Sequence, residues 1–136
     1  MRVIGVDFGS RRIGIAVGDT EHTLPSPRPA LASTKGLAGN ARVLKTIVEK
    51  EMAEGIALGI PRNEEDPTMA KVCEKLAEEL RNQGITVFEV DESLTSVYAE
   101  ERLRELGWTA AQRDRYKDSE AACLILERFF EEHGQA

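Results

Sequence analysis

Soft metal ligands and candidate nucleophile partners are scarce in this sequence. Two cysteines occur, Cys73 and Cys123, with no histidine near either. Two lone thiols cannot build a structural zinc site. Each falls on the apolar face of a predicted helix, where a buried free thiol in a reducing compartment is expected. The two histidines, His22 and His133, are expected in a proline-rich loop and in a frayed carboxyl tail. Nothing places a serine or cysteine beside them, so a nucleophilic triad finds no support. No apolar run approaches the ~18 residues of a membrane-crossing helix; the longest spans Ala121 to Leu126. The first acid comes at Asp7, too soon for the apolar stretch of a signal peptide, so a cytoplasmic location without a membrane partner is expected. Basic residues are outnumbered, 18 Lys+Arg against 24 Asp+Glu, a net charge of −6. That argues against a protein that coats nucleic acid through bulk charge, which must neutralise many phosphates. It leaves room for an enzyme that grips nucleic acid through a local basic patch.

What is present suffices for a packed core. Apolar residues make up 41% and charged residues 31% of 136 positions, which predicts one α/β domain over residues 1–136 without linkers. Arg2 to Phe8 and Arg12 to Val17 are β-branched and apolar, separated by the glycine-bearing turn Gly9-Ser10-Arg11, a hairpin signal. Val3-Ile4-Gly5-Val6 is apolar on both faces and is expected at the centre of a sheet. Thr23 to Pro29 holds three of the five prolines and cannot be a regular central strand; a third strand is expected near Arg28 to Ser33. From Leu37 the period becomes helical, with Val43, Leu44, Ile47, Val48 and Met52 in register and Gly55 as a stop signal. Ile56 to Ile60 reads as a buried strand. Asp66-Pro67 opens a helix that closes at Gly84. Ile85 to Val90 is a strand, Ser93 or Thr95 caps a helix ending at Gly107, and a last helix starts near Asp118. The order β-β-β-α-β-α-β-α-α predicts a mixed central sheet with helices on its faces.

Three acids sit where chemistry would want them. Asp7 interrupts an apolar strand, where a lone carboxylate is costly unless paired or bound to a metal. Glu92 follows the Ile85 to Val90 strand, and Asp118 opens the last helix, where the helix dipole tolerates an anion. Sites in α/β sheets gather at strand ends and at the starts of the segments that follow. Each acid also has a plain alternative. Asp7 could hydrogen-bond a turn backbone, Glu92 could be solvated with Asp91 as its competitor, and Asp118 could be only an N-cap.

The chain resembles the YqgF family of small bacterial nucleases. The resemblance rests on Gly5-Val6-Asp7-Phe8-Gly9-Ser10 with Ile13-Gly14-Ile15-Ala16-Val17-Gly18, then Leu58-Gly59-Ile60-Pro61, then Asp91-Glu92-Ser93-Leu94-Thr95-Ser96, then Asp118-Ser119-Glu120-Ala121-Ala122. These segments appear in the family's order along nearly the whole chain. The resemblance implies an RNase H-like nuclease domain with helices on both sheet faces. It also implies that Asp7, Glu92 and Asp118 are the catalytic acids and hold divalent metal, Mg²⁺ or Mn²⁺ and two ions rather than one. Such a pair of hard cations can activate water and stabilise a leaving oxygen. Asp7 would bridge, with Glu92 and Asp118 flanking. The expected substrate is structured nucleic acid. The 5′ end of a 16S rRNA precursor, alone or on ribosomal precursor particles, comes first; a branched DNA junction is the alternative, which would call for a homodimer. Two departures stand out: Ser93 occupies a position that is often arginine in the family, and residues 62–67 lack its usual Asp-Gly turn.

Bases gather near the proposed site. Arg11 and Arg12 flank the first turn. Between Arg102 and Lys117 five bases (Arg102, Arg104, Arg113, Arg115, Lys117) outnumber two acids (Glu105, Asp114). Arg11, Arg12, Arg113, Arg115 and Lys117 are therefore candidate phosphate contacts. Trp108 and Tyr116 are expected to pack on the core rather than stack on bases, and Glu127, Glu131 and Glu132 to form a solvated face. Two other functions compete. A nucleotide-binding protein of the actin and Hsp70 kind would share the Asp7-Phe8-Gly9-Ser10 loop but needs well over twice this length. A non-catalytic binding module would have no reason to retain three costly acids.

Overall fold

The computed structural model describes residues 1–21, 24–34, 36–62, 65–92 and 96–133, with 96–100 described by backbone alone. Strand β1 (Arg2–Phe8) lies at the centre of a five-stranded sheet, as its two-sided apolar pattern predicts. It runs antiparallel to β2 (Arg12–Asp19) and parallel to β4 (Gly55–Ile60). The strand order is β3-β2-β1-β4-β5, with β3 (Ser26–Ala32) and β5 (Val87–Asp91) at the edges. Pro27 and Pro29 lie within β3 and are tolerated there because an edge strand need not donate on both sides. All six residues of β4 are buried, the pattern of a parallel strand covered on both faces.

Helices α1 (Leu37–Lys50) and α2 (Thr68–Asn82) cover one face of the sheet, and α5 (Glu120–His133) covers the other. Side chains alternate along each strand. Ile4, Val6, Ile13, Ile15, Ile56 and Leu58 thus meet Leu44, Leu76 and Leu80 in one core cluster. Val3, Ala16, Ala57 and Val90 meet Ile125, Leu126 and Phe129 in the other. Both cysteines are buried, as expected, and neither is in a disulfide. Burial, joined by the charges of Glu120 and Glu127, pushes the Cys123 thiol up to about 12.

Several boundaries differ from the sequence expectations. Gly84 and Gly107 end their helices with φ of 84° and 85°, as predicted. At the end of α1, however, the left-handed residue is Met52 (φ 54°), while Gly55 opens β4. The expected strand from Ile85 begins at Val87. Helix α2 begins at Thr68, so Pro67 rather than Asp66 stands at its N-cap position; Asp66 lies one residue earlier, its Oδ1 accepting from the Thr68 backbone N–H at 2.9 Å. Helix α3 (Ser96–Glu105) is present; its expected caps, Ser93 and Thr95, lie outside the described residues. The stretch between Gly107 and Asp118 is not a loop, because α4 (Ala110–Arg115) occupies it. A reciprocal capping box starts α4, with Thr109 Oγ1 accepting from Gln112 N–H and Gln112 Oε1 accepting from Thr109 N–H. Next comes a short 3₁₀ turn, Lys117–Ser119, from which α5 emerges.

Two side-chain expectations fail. Glu127 is not solvated: it is buried and holds Arg102, so Arg102 is withdrawn from the basic patch. Its spacing from Cys123 and Phe130 places it on the apolar stripe of α5. His133 is not frayed either; its ring stacks on Phe129 with centroids 4.8 Å apart. Trp108 does pack against the second cluster, with Tyr116 edge-on at 6.3 Å.

Candidate active site

The site forms where the three parallel strands β1, β4 and β5 end together. Asp7 is the penultimate residue of β1, and odd positions of β1 face α5. Glu92 directly follows β5 and continues its ladder, its N–H donating to Ile60 O at 3.0 Å. Val90 faces α5, so alternation points Glu92 to the same side and Asp91 to the other. Glu92, not its neighbour, therefore meets Asp7. One Asp91 oxygen, Oδ1, is buried without a hydrogen-bond partner.

Strand β4 separates Asp7 from Glu92, and two carboxyl groups can meet across it only if nothing stands between. Gly59 supplies that gap. A Cβ built there would lie 3.1 Å from Glu92 Oε2 and 2.3 Å from Ile125 Cδ1. The Asp7 and Glu92 side chains are in hydrogen-bonding contact and line the same cleft. Burial raises the Asp7 pKa above its ordinary 3.8, and the hydrogen bond with Glu92 offsets part of that rise. The pair forms one wall of a cleft of ≈ 250 Å³, completed by Phe8, Gly59, Pro61, Met69 and Cys73.

Asp118 reaches this end of the sheet from the β2 side. Gly14 is the register partner of Asp7, and a Cβ at Gly14 would sit 2.2 Å from the Asp118 carbonyl oxygen. The backbone of the 3₁₀ turn thus rests directly on β2, one strand from Asp7. Ser119, buried, pins it there. The Ile15 N–H donates to Ser119 Oγ at 3.2 Å, and Ser119 Oγ donates to the Arg28 carbonyl at 2.7 Å. The Asp118 carboxylate is taken by Arg12, whose Nη1 lies 2.8 Å from Oδ2. Of the three expected acids, two are in contact and the third faces a guanidinium at the same sheet end. Among the described residues no three His, Cys, Asp or Glu side chains are grouped to hold a metal ion.

Of the five candidate phosphate contacts, Arg12 flanks Asp118, and Lys117 precedes it in the chain. Among the described residues Arg11, Arg113, Arg115 and Lys117 form no ion pair; Arg115 lies over the Tyr116 ring at 5.1 Å. Arg113 and Arg115 close α4, next to the 3₁₀ turn. Gly14, Gly59 and Ser119 were not singled out by sequence reasoning, although each falls inside a segment that carries the family resemblance.

Comparison with known proteins agrees with this architecture. A family profile described as "RuvX: Holliday junction resolvase" matches residues 1–132. A protein of Oleidesulfovibrio alaskensis named "Putative pre-16S rRNA nuclease" is 35% identical over 132 residues, covering 95% of this chain and 91% of its own. A like-named protein of Opitutus terrae is 35% identical over 136 residues, covering 97% and 92%. Among solved structures, T. thermophilus RuvC in complex with a Holliday junction substrate superposes with a TM-score of 0.65 at 14% identity, over 97% of this chain and 94% of that one. Fowlpox virus resolvase with junction DNA superposes at 0.59 and 13%, over 97% and 98%. At such identities the likeness establishes the RNase H-like, RuvC-type fold. With a profile spanning nearly its whole length and relatives a third identical end to end, this chain belongs to the RuvX (YqgF) family of nucleases.

Proposed function

We propose that this chain, acting as one nuclease domain over residues 1–136, hydrolyses phosphodiester bonds in structured RNA and trims the 5′ side of a 16S rRNA precursor. The observation that carries the chemistry is the Asp7–Glu92 contact at the C-terminal ends of β1 and β5. Two carboxyl groups pressed together across a glycine gap are unstable as a pair of anions; they need a proton or a cation between them. Hard oxygen donors on the wall of an open cleft suit Mg²⁺ or Mn²⁺, which keep several waters and need few protein ligands. Asp7 and Glu92 would hold such ions, with Asp118 as the third ligand. Bound there, divalent cations supply a more acidic water and charge neutralisation for an in-line displacement. The protein's own part is positional. β1 fixes Asp7 on a rigid strand, Gly59 sets its distance from Glu92, and Ser119 fixes the backbone that carries Asp118. Arg11, Arg12, Arg113, Arg115 and Lys117 would orient the phosphate backbone on an otherwise acidic surface.

The RNA reading is supported by the names of relatives similar along their full length. A second reading, resolution of a four-way DNA junction, is favoured by the RuvC-type fold. It would require a two-fold dimer to cut both strands symmetrically. Among the described residues no helix is long and apolar enough to cross a membrane, and we place the activity in the cytoplasm, on free RNA or ribosomal precursor particles. Purified protein should be incubated with a 5′-extended 16S leader RNA and, in parallel, a four-way DNA junction, with Mg²⁺, with Mn²⁺ and with chelator. Metal-dependent cutting of the RNA by a monomer supports the first reading. Paired cuts in the junction by a dimer replace it with the second. No cutting of either under any metal sinks both.

A further inference from the structure

We infer that Arg12 is a positioning residue that withholds Asp118 from the Asp7–Glu92 pair until a backbone phosphate of the substrate takes the guanidinium. The inference rests on the nuclease reading and adds an order of assembly to it: nucleic acid completes the cation site.

The geometry leaves Asp118 little choice of partner. Its backbone is immobilised over Gly14 and by Ser119, so only the side chain can turn. Arg12 lies two residues before Gly14 on β2 and so projects on the same sheet face, the face that also carries Asp7. The Arg12–Asp118 contact is a single 2.8 Å bond, with Arg12 66% and Asp118 37% exposed. An exposed single-bonded pair is weak and easily exchanged. A phosphate offers Arg12 two oxygens in a fork-shaped match, a better partner than one carboxylate oxygen. Arg11 beside it and Lys117 beside Asp118 would draw a phosphate to this spot. Once Arg12 turns away, a full negative charge is released at the same end of the sheet as the Asp7–Glu92 pair, one strand from Asp7, and the attraction for a divalent cation rises. Linkage then requires the cation to strengthen nucleic-acid binding by the same factor that nucleic acid strengthens cation binding.

The test reads cation binding rather than turnover. Mn²⁺ is titrated onto the full-length protein, with the free ion followed by its paramagnetic resonance signal. The variants are Arg12→Gln, Arg12→Lys, Asp118→Asn, the Arg12→Gln/Asp118→Asn double and Asp7→Asn. Melting temperatures confirm folding, which an exposed Arg12 should not disturb. Arg12→Gln should tighten Mn²⁺ by about two- to fivefold, the worth of an exposed ion pair, and Arg12→Lys should behave as wild type. The gain should shrink at high salt and vanish in the Asp118→Asn background. A cleavage-resistant phosphorothioate RNA duplex should tighten Mn²⁺ for wild type but not for Arg12→Gln. If Asp7→Asn weakens Mn²⁺ while Arg12→Gln leaves it unchanged or weaker, the withholding role is overturned and the cation site stands. An Arg12→Gln effect that is equal with and without Asp118 likewise overturns the withholding role. If Asp7→Asn leaves Mn²⁺ binding intact, the site itself is misassigned and the role of Arg12 falls with it.

Discussion

Replacing Asp7 by Asn should abolish cleavage and yet stabilise the metal-free protein. The side chain keeps its size and can still hydrogen-bond Glu92, but it no longer carries a charge that burial opposes. At ~4 Å and an effective dielectric of about 20, two unit charges repel by ~4 kcal/mol. Solvent at the open cleft screens part of that in the wild type, so the substitution should return about 1–2 kcal/mol, or ~3–6 °C in Tm for a chain of this length. The pH dependence makes the reasoning specific. The folded-state pKa of Asp7 is raised, so its protonated form is the one the fold prefers. Its contribution is fully favourable below the ordinary value of 3.8 and is lost as pH rises through the folded-state value. The Tm advantage of Asp7→Asn should therefore be largest near neutral pH and shrink as the solution is acidified. Measuring the difference between the two proteins cancels the titrating groups that do not interact with Asp7. Calorimetric scans in chelator across this range provide the assay. A Tm that drops on substitution at neutral pH, or a difference that stays constant into acid, would refute the account of Asp7 as a desolvated carboxyl pressed against Glu92. Added Mg²⁺ or Mn²⁺ should raise the wild-type Tm and leave the Asn variant unmoved.

Three other substitutions test the framework around the site. Glu51 binds both Arg2 and Arg28 at 2.9 Å with only 16% of its side chain exposed, and these partners, Arg28 foremost, lower its pKa. Glu51→Gln should cost ~1–3 kcal/mol in urea titrations at neutral pH; because the folded pKa is depressed below 4.5, that cost should fade as pH falls through it. Arg102→Ala strands Glu127, 11% exposed, with its Oε2 already unpartnered, and should cost ~3–5 kcal/mol. The joint replacement Arg102→Met/Glu127→Leu should recover most of that loss, and recovery of none would mean the pair is not the anchor of α3 on α5. Gly59→Ala pushes a methyl toward Ile125 Cδ1 and Glu92 Oε2, so stability should fall by ~1–3 kcal/mol and cleavage should fall with it. Full activity with the expected loss of stability would show that the Asp7–Glu92 spacing is not set by this gap.

The sheet was legible because its strands are written in plain code. Val3-Ile4-Gly5-Val6 and Ile56 to Ile60 are apolar on both faces, and only covered central strands can be. Helix ends at Gly84 and Gly107 were legible because a left-handed residue favours glycine. Helix α4 was missed although its Thr109–Gln112 capping box stands in the sequence, because six residues are too few to show a period. Glu127 was misread from composition, although its helical spacing from Cys123 and Phe130 already placed it on the apolar stripe. The meeting of Asp7 with Glu92 depends on sheet order, which no local pattern encodes: β5 had to land two strands from β1 with Glu92 on the α5 face. What local sequence did hold was the permission for that meeting. Gly14 and Gly59 lie on the strands flanking β1, where any larger side chain would strike Asp118 or Glu92. In strands otherwise built of β-branched residues, a glycine weakens the sheet unless its emptiness is used. Here each empty position faces one of the acids that must approach Asp7, so the glycines of such strands point to the site as directly as the acids do.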